Sequence, residues 1–159
     1  MNTPQSKLHG VSQLSQPEQE TWRAFLSVTT RGLERIDQLL QKHSNITLTD
    51  YEILLALSTA ENSRLRMSEL AEQVLVSRSR LTYRVDRLVE VGFVTRQECE
   101  DDRRGLWAIL TEHGQGTLNS ATNGHHADVR RLFFDAINGD ELATLDSILQ
   151  QISSKLNAE

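Results

Sequence analysis

The sequence predicts a mainly α-helical protein with one small β-hairpin, and three observations support this fold class. Both prolines lie within the first 17 of the 159 residues, so long helices are permitted from residue 18 onward. Apolar residues recur at steps of three and four near both ends of the chain, as they do in amphipathic helices. Two short strand-like segments, 93–96 and 106–110, flank a charged turn that contains a glycine, which is typical of a hairpin.

The N-terminal third of the chain predicts a tail and two helices. Residues 1–17 are polar and rich in Ser and Gln, so we expect a flexible tail. A helix should follow at 18–43, because its apolar residues share one face. Thr49 and Glu52 form a capping-box pattern, which predicts a second helix that begins there and continues through Ala60.

The segment from Ser68 to Gly92 predicts two helices joined by a tight turn. Ser68 is a suitable N-cap for a helix that reaches about Val74, and Ser77 for one that runs to Val91. Gly92 is placed to end the second helix in a left-handed cap. Two helices separated by three residues are typical of a helix-turn-helix. A hairpin directly after them is typical of a wing.

The remaining residues predict two more helices. Thr111 should cap the first, which we expect to reach about Ile137 despite three glycines that weaken its regularity. Asn138, followed by an acid at Glu141, predicts the start of the last helix. The apolar residues of this last helix are spaced at steps of three and four.

The distribution of charge matters more than its sum. The net charge of −5 at first argues against a nucleic-acid partner. Residues 78–87, however, contain four arginines and one aspartate, a local charge of +3. Binding to phosphate depends on local cation placement more than on net charge. The alternative is that this stretch is an ordinary solvated helix face.

The helix predicted at 78–91 has one apolar side and one polar side. Leu81, Val85 and Leu88 form the stripe that should face the core. The opposite side carries hydroxyl and guanidinium groups, which contact base edges and phosphates, whereas a solvated helix more often carries Glu and Lys. As the second helix of a helix-turn-helix, it should read the major groove of double-stranded DNA. The residues expected to contact DNA are Ser77, Arg78, Ser79, Arg80, Thr82, Tyr83, Arg84 and Arg87 on this helix, and Asp102, Arg103 and Arg104 on the wing.

The apolar stripes of the first and last helices predict a homodimer. A winged helix-turn-helix at 48–111 has its own small core and does not need both stripes, which would otherwise form a large exposed patch. We therefore expect dimerisation helices at 18–47 and 112–159. The residues expected at this interface are Trp22, Phe25, Leu142, Leu145, Leu149 and Ile152.

These motifs together resemble the multiple antibiotic resistance regulator (MarR) family of bacterial transcription factors, from about Trp22 to Leu156. The wing carries the most specific part of the resemblance, because Asp102, Arg104, Leu110 and Thr111 fit the family pattern D-x-R-x5-L-T. Further matches are Ser68-Glu69-Leu70-Ala71, Val76-Ser77-Arg78-Ser79, Val85-Asp86-Arg87-Leu88, Thr111-Glu112-His113-Gly114 and Glu141-Leu142-Ala143.

The resemblance implies a triangular homodimer with interlocked terminal helices and a winged reader at each lower corner. It implies that the recognition helices read successive major grooves and that Arg104 enters the flanking minor groove. Many members of the family are repressors that small aromatic acids, drugs or oxidants release from DNA. The family's ligand cleft lies between the dimer helices and the reader, so Trp22 and Phe25 are candidates for contacting a small aromatic effector.

Other functions are less well supported by the sequence. Cys99 offers a redox-sensing regulator as an alternative, but the acidic residues beside it disfavour the thiolate. His125 and His126 point about 100° apart on a helix, and no ligand spacing typical of a metal site occurs. The chain lacks the familiar catalytic and phosphate-loop motifs, so we expect no enzymatic activity and no cofactor.

The sequence also predicts a location and leaves one rival to DNA binding. The longest apolar run, Ile53–Leu57, is far shorter than the roughly 20 residues that span a bilayer. With no secretory signal and a single cysteine, we expect a cytoplasmic protein without a membrane partner. The rival to DNA binding is a winged-helix module for protein–protein contact, which would need no arginines on its recognition face.

Overall fold

A computed structural model describes residues 13–99 and 105–158. Within them the chain is mainly helical with a small antiparallel sheet, which confirms the expected fold class. The elements are α1 (Gln16–Ser44), α2 (Leu48–Thr59), β1 (Arg64–Arg66), α3 (Met67–Gln73), α4 (Arg78–Glu90), β2 (Val94–Glu98), β3 (Leu106–Leu110), α5 (Glu112–Val129) and α6 (Gly139–Leu156), with a 3₁₀ turn at Glu61–Ser63 and a π-helical turn at Arg130–Phe134. Over these residues, no helix combines the length and hydropathy that a membrane span requires.

The sheet has the strand order β1-β3-β2, and adjacent strands are antiparallel. β2 and β3 form the expected hairpin, in which Thr95 lies opposite Ile109 and Gln97 opposite Trp107. β1 is a strand that the sequence did not predict, and it pairs Arg64 with Ile109. β1 could not be recognised because three residues are too few to show an alternation of apolar and polar side chains. It forms only because it pairs with β3, which lies about 40 residues further along the chain.

The core is built mainly from α2, α3, α4 and the inner face of the sheet. The predicted apolar stripe of α4 is confirmed, because Leu81, Val85 and Leu88 are all buried. The large side chains that are almost completely inaccessible are Ile53, Leu54, Leu57, Leu70, Leu81, Val85 and Val94.

Four predicted helix boundaries are confirmed. Ser77, Thr111 and Asn138 are the N-caps of α4, α5 and α6, and each side chain accepts a hydrogen bond from the backbone of the first turn. Gly92 follows α4 with φ of 77°, the left-handed conformation that a glycine adopts without a Cβ clash.

The predicted start of α2 is wrong by two residues. Thr47, not Thr49, is the N-cap: the Asp50 N–H donates to Thr47 Oγ1 at 3.2 Å, and the Thr47 N–H donates to Asp50 Oδ2 at 2.9 Å. Asp50 is buried while Glu52 is exposed. The capping carboxylate is therefore that of Asp50, which also pairs with Arg84 of α4.

The predicted start of α3 at Ser68 is also wrong. The helix begins at Met67, directly after β1, and Arg66 is in the N-cap position. The Arg66 N–H donates to Glu69 Oε2 at 3.0 Å. The start of α3 was misplaced because β1 was not predicted, and Arg66, the last residue of β1, directly precedes the helix.

The helix after the wing ends earlier than predicted. We expected it to reach about Ile137, but α5 ends at Val129 and continues as the wider π turn at Arg130–Phe134. In that turn the Phe133 ring lies over Gly32 of α1, where an added Cβ would stand 2.4 Å from Phe133 Cζ. α1 and the end of α5 thus pack closely at a glycine.

Two glycines in the first turns of α5 should respond oppositely to alanine. A Cβ at Gly114 would lie 2.2 Å from the Phe93 carbonyl oxygen, which already accepts two hydrogen bonds from Thr111. We expect Gly114→Ala to cost about 1–3 kcal/mol through overpacking. Gly116 meets no described atom within 4 Å, so Gly116→Ala should stabilise α5 by up to about 1 kcal/mol. Urea unfolding measures both, and equal stabilities would contradict this packing.

Candidate nucleic-acid interface

The recognition face is the exposed side of α4. Its apolar side is anchored in the core, so the opposite side is held in a fixed orientation toward solvent. Ser79, Thr82 and Tyr83 are exposed there, as the sequence predicted, and Tyr83 is 61% exposed. The Thr82 hydroxyl donates to the Arg78 carbonyl oxygen at 2.9 Å, which leaves its methyl group and an oxygen lone pair for an outside partner.

The N-terminal end of α4 combines hydroxyl and guanidinium groups. Ser77 Oγ accepts a hydrogen bond from the Arg80 N–H at 3.4 Å and lies 3.3 Å from Ser79 Oγ. Arg78 and Arg80 are exposed, and neither has an ion-pair partner within the described part of the chain. The positive end of the helix dipole adds to their charge, which suits phosphate groups.

Arg84 has a role that the sequence did not predict. We expected it to contact DNA, but its side chain is only 21% exposed and is paired with Asp50 of α2. Its Nε donates to Asp50 Oδ1 at 3.0 Å, and its Nη2 donates to Thr47 Oγ1 at 2.6 Å and also to Asp50 Oδ2. Arg84 therefore holds α4 against the N-terminus of α2. The partner, 34 residues away, could not be identified from the pattern of α4 alone.

Two further ion pairs involve α4. Arg87 pairs with Glu90 one turn away, and both side chains are more than half exposed, so this pair is weak and can open. Asp86 pairs with Arg96 of β2, whose Nη2 also donates to the Thr82 carbonyl oxygen at 3.2 Å. Arg96 thus joins the first strand of the wing to the recognition helix. This contact was not predicted from the sequence.

The wing is described only in its strands. Asp102, Arg103 and Arg104, which we expect to contact DNA, lie outside the described residues. On the outer face of the sheet, Trp107 lies beneath two arginines of β1: the guanidinium carbons of Arg64 and Arg66 are 4.7 and 5.4 Å from its ring centroid. Without β1 in the prediction, this cation–π group could not be anticipated.

Cys99 lies at the end of β2 and is only 3% exposed. Its N–H donates to the Gly105 carbonyl oxygen at 3.0 Å, which continues the strand pairing past Glu98 and Leu106 toward the turn of the hairpin. A buried thiol is poorly accessible to oxidants, so its position gives no support to a redox function.

The residues expected at the dimer interface are exposed in a single chain. Trp22 and Phe25 of α1 are 52% and 48% exposed, and their rings stack with centroids 5.9 Å apart. α6 has no buried residue at all. Its exposed apolar side chains are Leu142, Leu145, Ile148, Leu149, Ile152 and Leu156.

A separate cavity of about 90 Å³ lies between α1 and α5, with His43, His125 and Asp128 in its lining. The His125 ring lies against Tyr51, at 4.3 Å between centroids, and its Nδ1 is buried without a hydrogen-bond partner among the described residues. Burial lowers the pKa of His125, as does the neighbouring His126, while Asp128 acts in the opposite direction. Trp22 and Phe25 do not line this cavity. No three His, Cys, Asp or Glu side chains of the described ranges are grouped to hold a metal ion.

Comparisons with known proteins agree with this geometry. A family model described as "MarR family" matches residues 44–105. Transcriptional repressor MprA of Escherichia coli K12 is 29% identical over 135 residues, which cover 85% of this chain and 76% of the repressor. The crystal structure of AbsC, a MarR family transcriptional regulator from Streptomyces coelicolor, has 39% identity and a TM-score of 0.86, over 94% of this chain and 100% of AbsC. Sco3205, a MarR family regulator from the same organism solved in complex with DNA, has 32% identity and a TM-score of 0.89, over 93% and 92% of the two chains.

Two arginines of α4, one helical turn apart, should differ in what they do for the fold. Arg84→Ala leaves the buried carboxylate of Asp50 without its cation, which should lower the free energy of unfolding by about 1–3 kcal/mol. Arg80→Ala removes an exposed side chain and should change it by less than about 0.5 kcal/mol. Urea denaturation followed by circular dichroism compares the two. Equal losses would mean that the Arg84 pair does not hold α4 in place.

Proposed function

Because the chain belongs to the MarR family of transcriptional regulators, we propose that it is a repressor that binds an inverted-repeat operator as a homodimer. The observation that carries this proposal is the exposed N-terminal half of α4, where Arg78 and Arg80 stand beside two serine hydroxyls without internal ion-pair partners among the described residues. A protein-interaction module would have no need of this chemistry. One similar structure is of a regulator in complex with DNA.

In this proposal α4 enters the major groove with its N-terminal end first. Ser77, Ser79 and Thr82 have hydroxyl groups that suit base edges and phosphate oxygens, and Tyr83 lies beside them on the exposed face. Arg78 and Arg80 supply the charge that attracts the backbone. On the wing, Arg104 is proposed to reach the narrow minor groove, with Asp102 orienting its guanidinium and Arg103 as a further DNA contact. We propose that the protein acts in the cytoplasm and has no catalytic activity.

The dimer is supported by what a single chain leaves exposed. Trp22, Phe25, Leu26 and Leu33 of α1 and the large apolar side chains of α6 are about half accessible, and they form two stripes outside the core. A soluble chain seldom leaves a patch of this kind in contact with water. Pairing of two copies through these helices would bury both stripes and place two copies of α4 about 34–36 Å apart, the spacing of successive major grooves on one side of the duplex.

A small aromatic effector remains a prediction from the family resemblance. Trp22 and Phe25 were its candidate contacts, and both lie on the exposed stripe of α1 that we propose the second copy covers. They are therefore better explained as interface residues.

The recognition helix is tested by two substitutions that leave the fold intact. Arg80→Ala and Thr82→Ala should each weaken binding to a duplex taken from upstream of the protein's own gene, by about 1–3 kcal/mol if a base contact is lost. If Arg80 contacts phosphate instead, the slope of log affinity against log salt should fall by about 0.9 for each contact removed. Fluorescence anisotropy over a salt series measures both.

Arg35→Ala is the matched control, since it removes the same charge from an exposed position on a different helix, α1. It should leave affinity within about twofold. Wild-type affinity in both α4 variants would show that another element reads the DNA, and a wild-type protein that binds no duplex would favour the protein-interaction module.

The dimer is tested by placing acids in the α6 stripe. Leu145→Asp with Leu149→Asp should convert a dimer of twice 18.0 kDa into monomers or aggregates and abolish specific DNA binding. Ser147→Asp with Gln151→Asp adds the same charge to the opposite side of α6 and should leave the dimer intact. Multi-angle light scattering reads out the mass. A stable wild-type monomer at micromolar concentration would overturn the proposed dimer.

A further inference from the structure

The turn between α3 and α4 contains a leucine in a conformation that favours glycine. Leu75 has φ of 55°, in the left-handed region where the Cβ of an ordinary residue is crowded. Its side chain is 90% exposed, more than any other exposed large apolar side chain that the structure describes. Both features cost free energy for a leucine, and both occur at one residue.

Other described residues with positive φ follow the usual preference for polar residues. Outside glycine they are Asn45, Asn62 and Ser63, which are all small and polar, and asparagine accepts this conformation more readily than most residues. Leu75 is the one apolar member of this set among the described residues. The tight turn accounts for the backbone conformation, but glycine or asparagine would provide it with less strain.

The neighbours of Leu75 show that its side chain has no role in the core. Val74 is 6% exposed and belongs to the core cluster, and Val76 packs against that cluster. The Val76 N–H donates to the Ala71 carbonyl oxygen at 3.4 Å, which closes the turn. With Val74 and Val76 directed inward, Leu75 points out of the domain. Its apolar surface is therefore available only to something outside the chain.

The position of Leu75 indicates what that partner is. It precedes the N-cap Ser77 by two residues, so its Cα is within about 7 Å of the start of the recognition helix. The groups that follow are Arg78, Ser79 and Arg80, which suit DNA better than an apolar protein surface. When the N-terminal end of α4 enters the major groove, Leu75 is carried to its edge. The apolar groups found there are thymine C5-methyl and deoxyribose.

We propose that Leu75 is a DNA contact residue that places its side chain against thymine methyl or deoxyribose groups beside the major groove and so contributes to operator affinity. This rests on the proposed function, since it requires α4 to be the reader. The strain and exposure of Leu75 are then features of the free protein that are offset when DNA covers the side chain.

The test compares three substitutions at one position. Leu75→Gly and Leu75→Asn suit the left-handed conformation and should unfold at the wild-type temperature or above it, while Leu75→Met keeps an apolar side chain. On a duplex from upstream of the protein's own gene, the Gly and Asn variants should bind about tenfold more weakly than wild type, since each of two subunits loses an apolar contact. The Met variant should stay within about threefold.

The same duplex synthesised with uracil in place of thymine separates the two apolar groups. If wild type and Leu75→Gly bind the uracil duplex equally, the contact is the thymine methyl; if their difference persists, it is deoxyribose, and either result supports the proposal. Equal affinity of wild type and the Gly variant on the thymine duplex overturns it while the proposed function stands. A wild-type protein that binds neither duplex overturns both.

Discussion

The buried carboxylate of Asp50 is the constraint on which the orientation of the reader depends. It accepts hydrogen bonds from the Thr47 backbone and hydroxyl, which start α2, and from the guanidinium of Arg84, which belongs to α4. Next to it, Asp37 of α1 accepts from the Leu48 N–H at 2.7 Å. Two carboxylates thus fix the N-terminus of α2 between the long first helix and the recognition helix. A buried carboxylate tolerates this position only when its partners are in place, so the helices are held in one arrangement.

A second constraint separates the surfaces that the protein uses. The core is filled by α2, α3, α4 and the sheet together with parts of α1 and α5, and the described residues leave the apolar side chains of α6 uncovered. Because only one side of α4 packs in the core, its outer side is available for polar contacts. Arg96 extends the rigid unit, because its pair with Asp86 ties β2 to the recognition helix. The wing strand is therefore tied to the recognition helix, and in the proposed dimer the paired helices would determine where this unit is placed.

How far the sequence predicts this structure depends on how local each signal is. The caps at Ser77, Thr111 and Asn138 were predicted because an N-cap needs only its own first turn. The amphipathic stripe of α4 was predicted because its period lies within 13 residues. β1 was missed because three residues form a strand only when β3 pairs with them. The start of α2 was displaced because Thr47 and Thr49 look alike until Arg84 is brought to Asp50.

The candidate site shows the same limit in its arginines. From the sequence, the four arginines of α4 were equally good candidates for contacting DNA. In the structure they differ, because Arg84 is paired with Asp50 and Arg87 with Glu90. Arg78 and Arg80 stay without internal ion-pair partners among the described residues, both in the first turn. The charge available to DNA is thus concentrated where the helix dipole is also positive, at the end that would enter the groove. Among the residues at this end of α4, exposure without an internal partner selects the proposed DNA contacts better than residue type does. Leu75 meets that criterion as fully as either arginine, although its apolar side chain gave no such signal in the sequence.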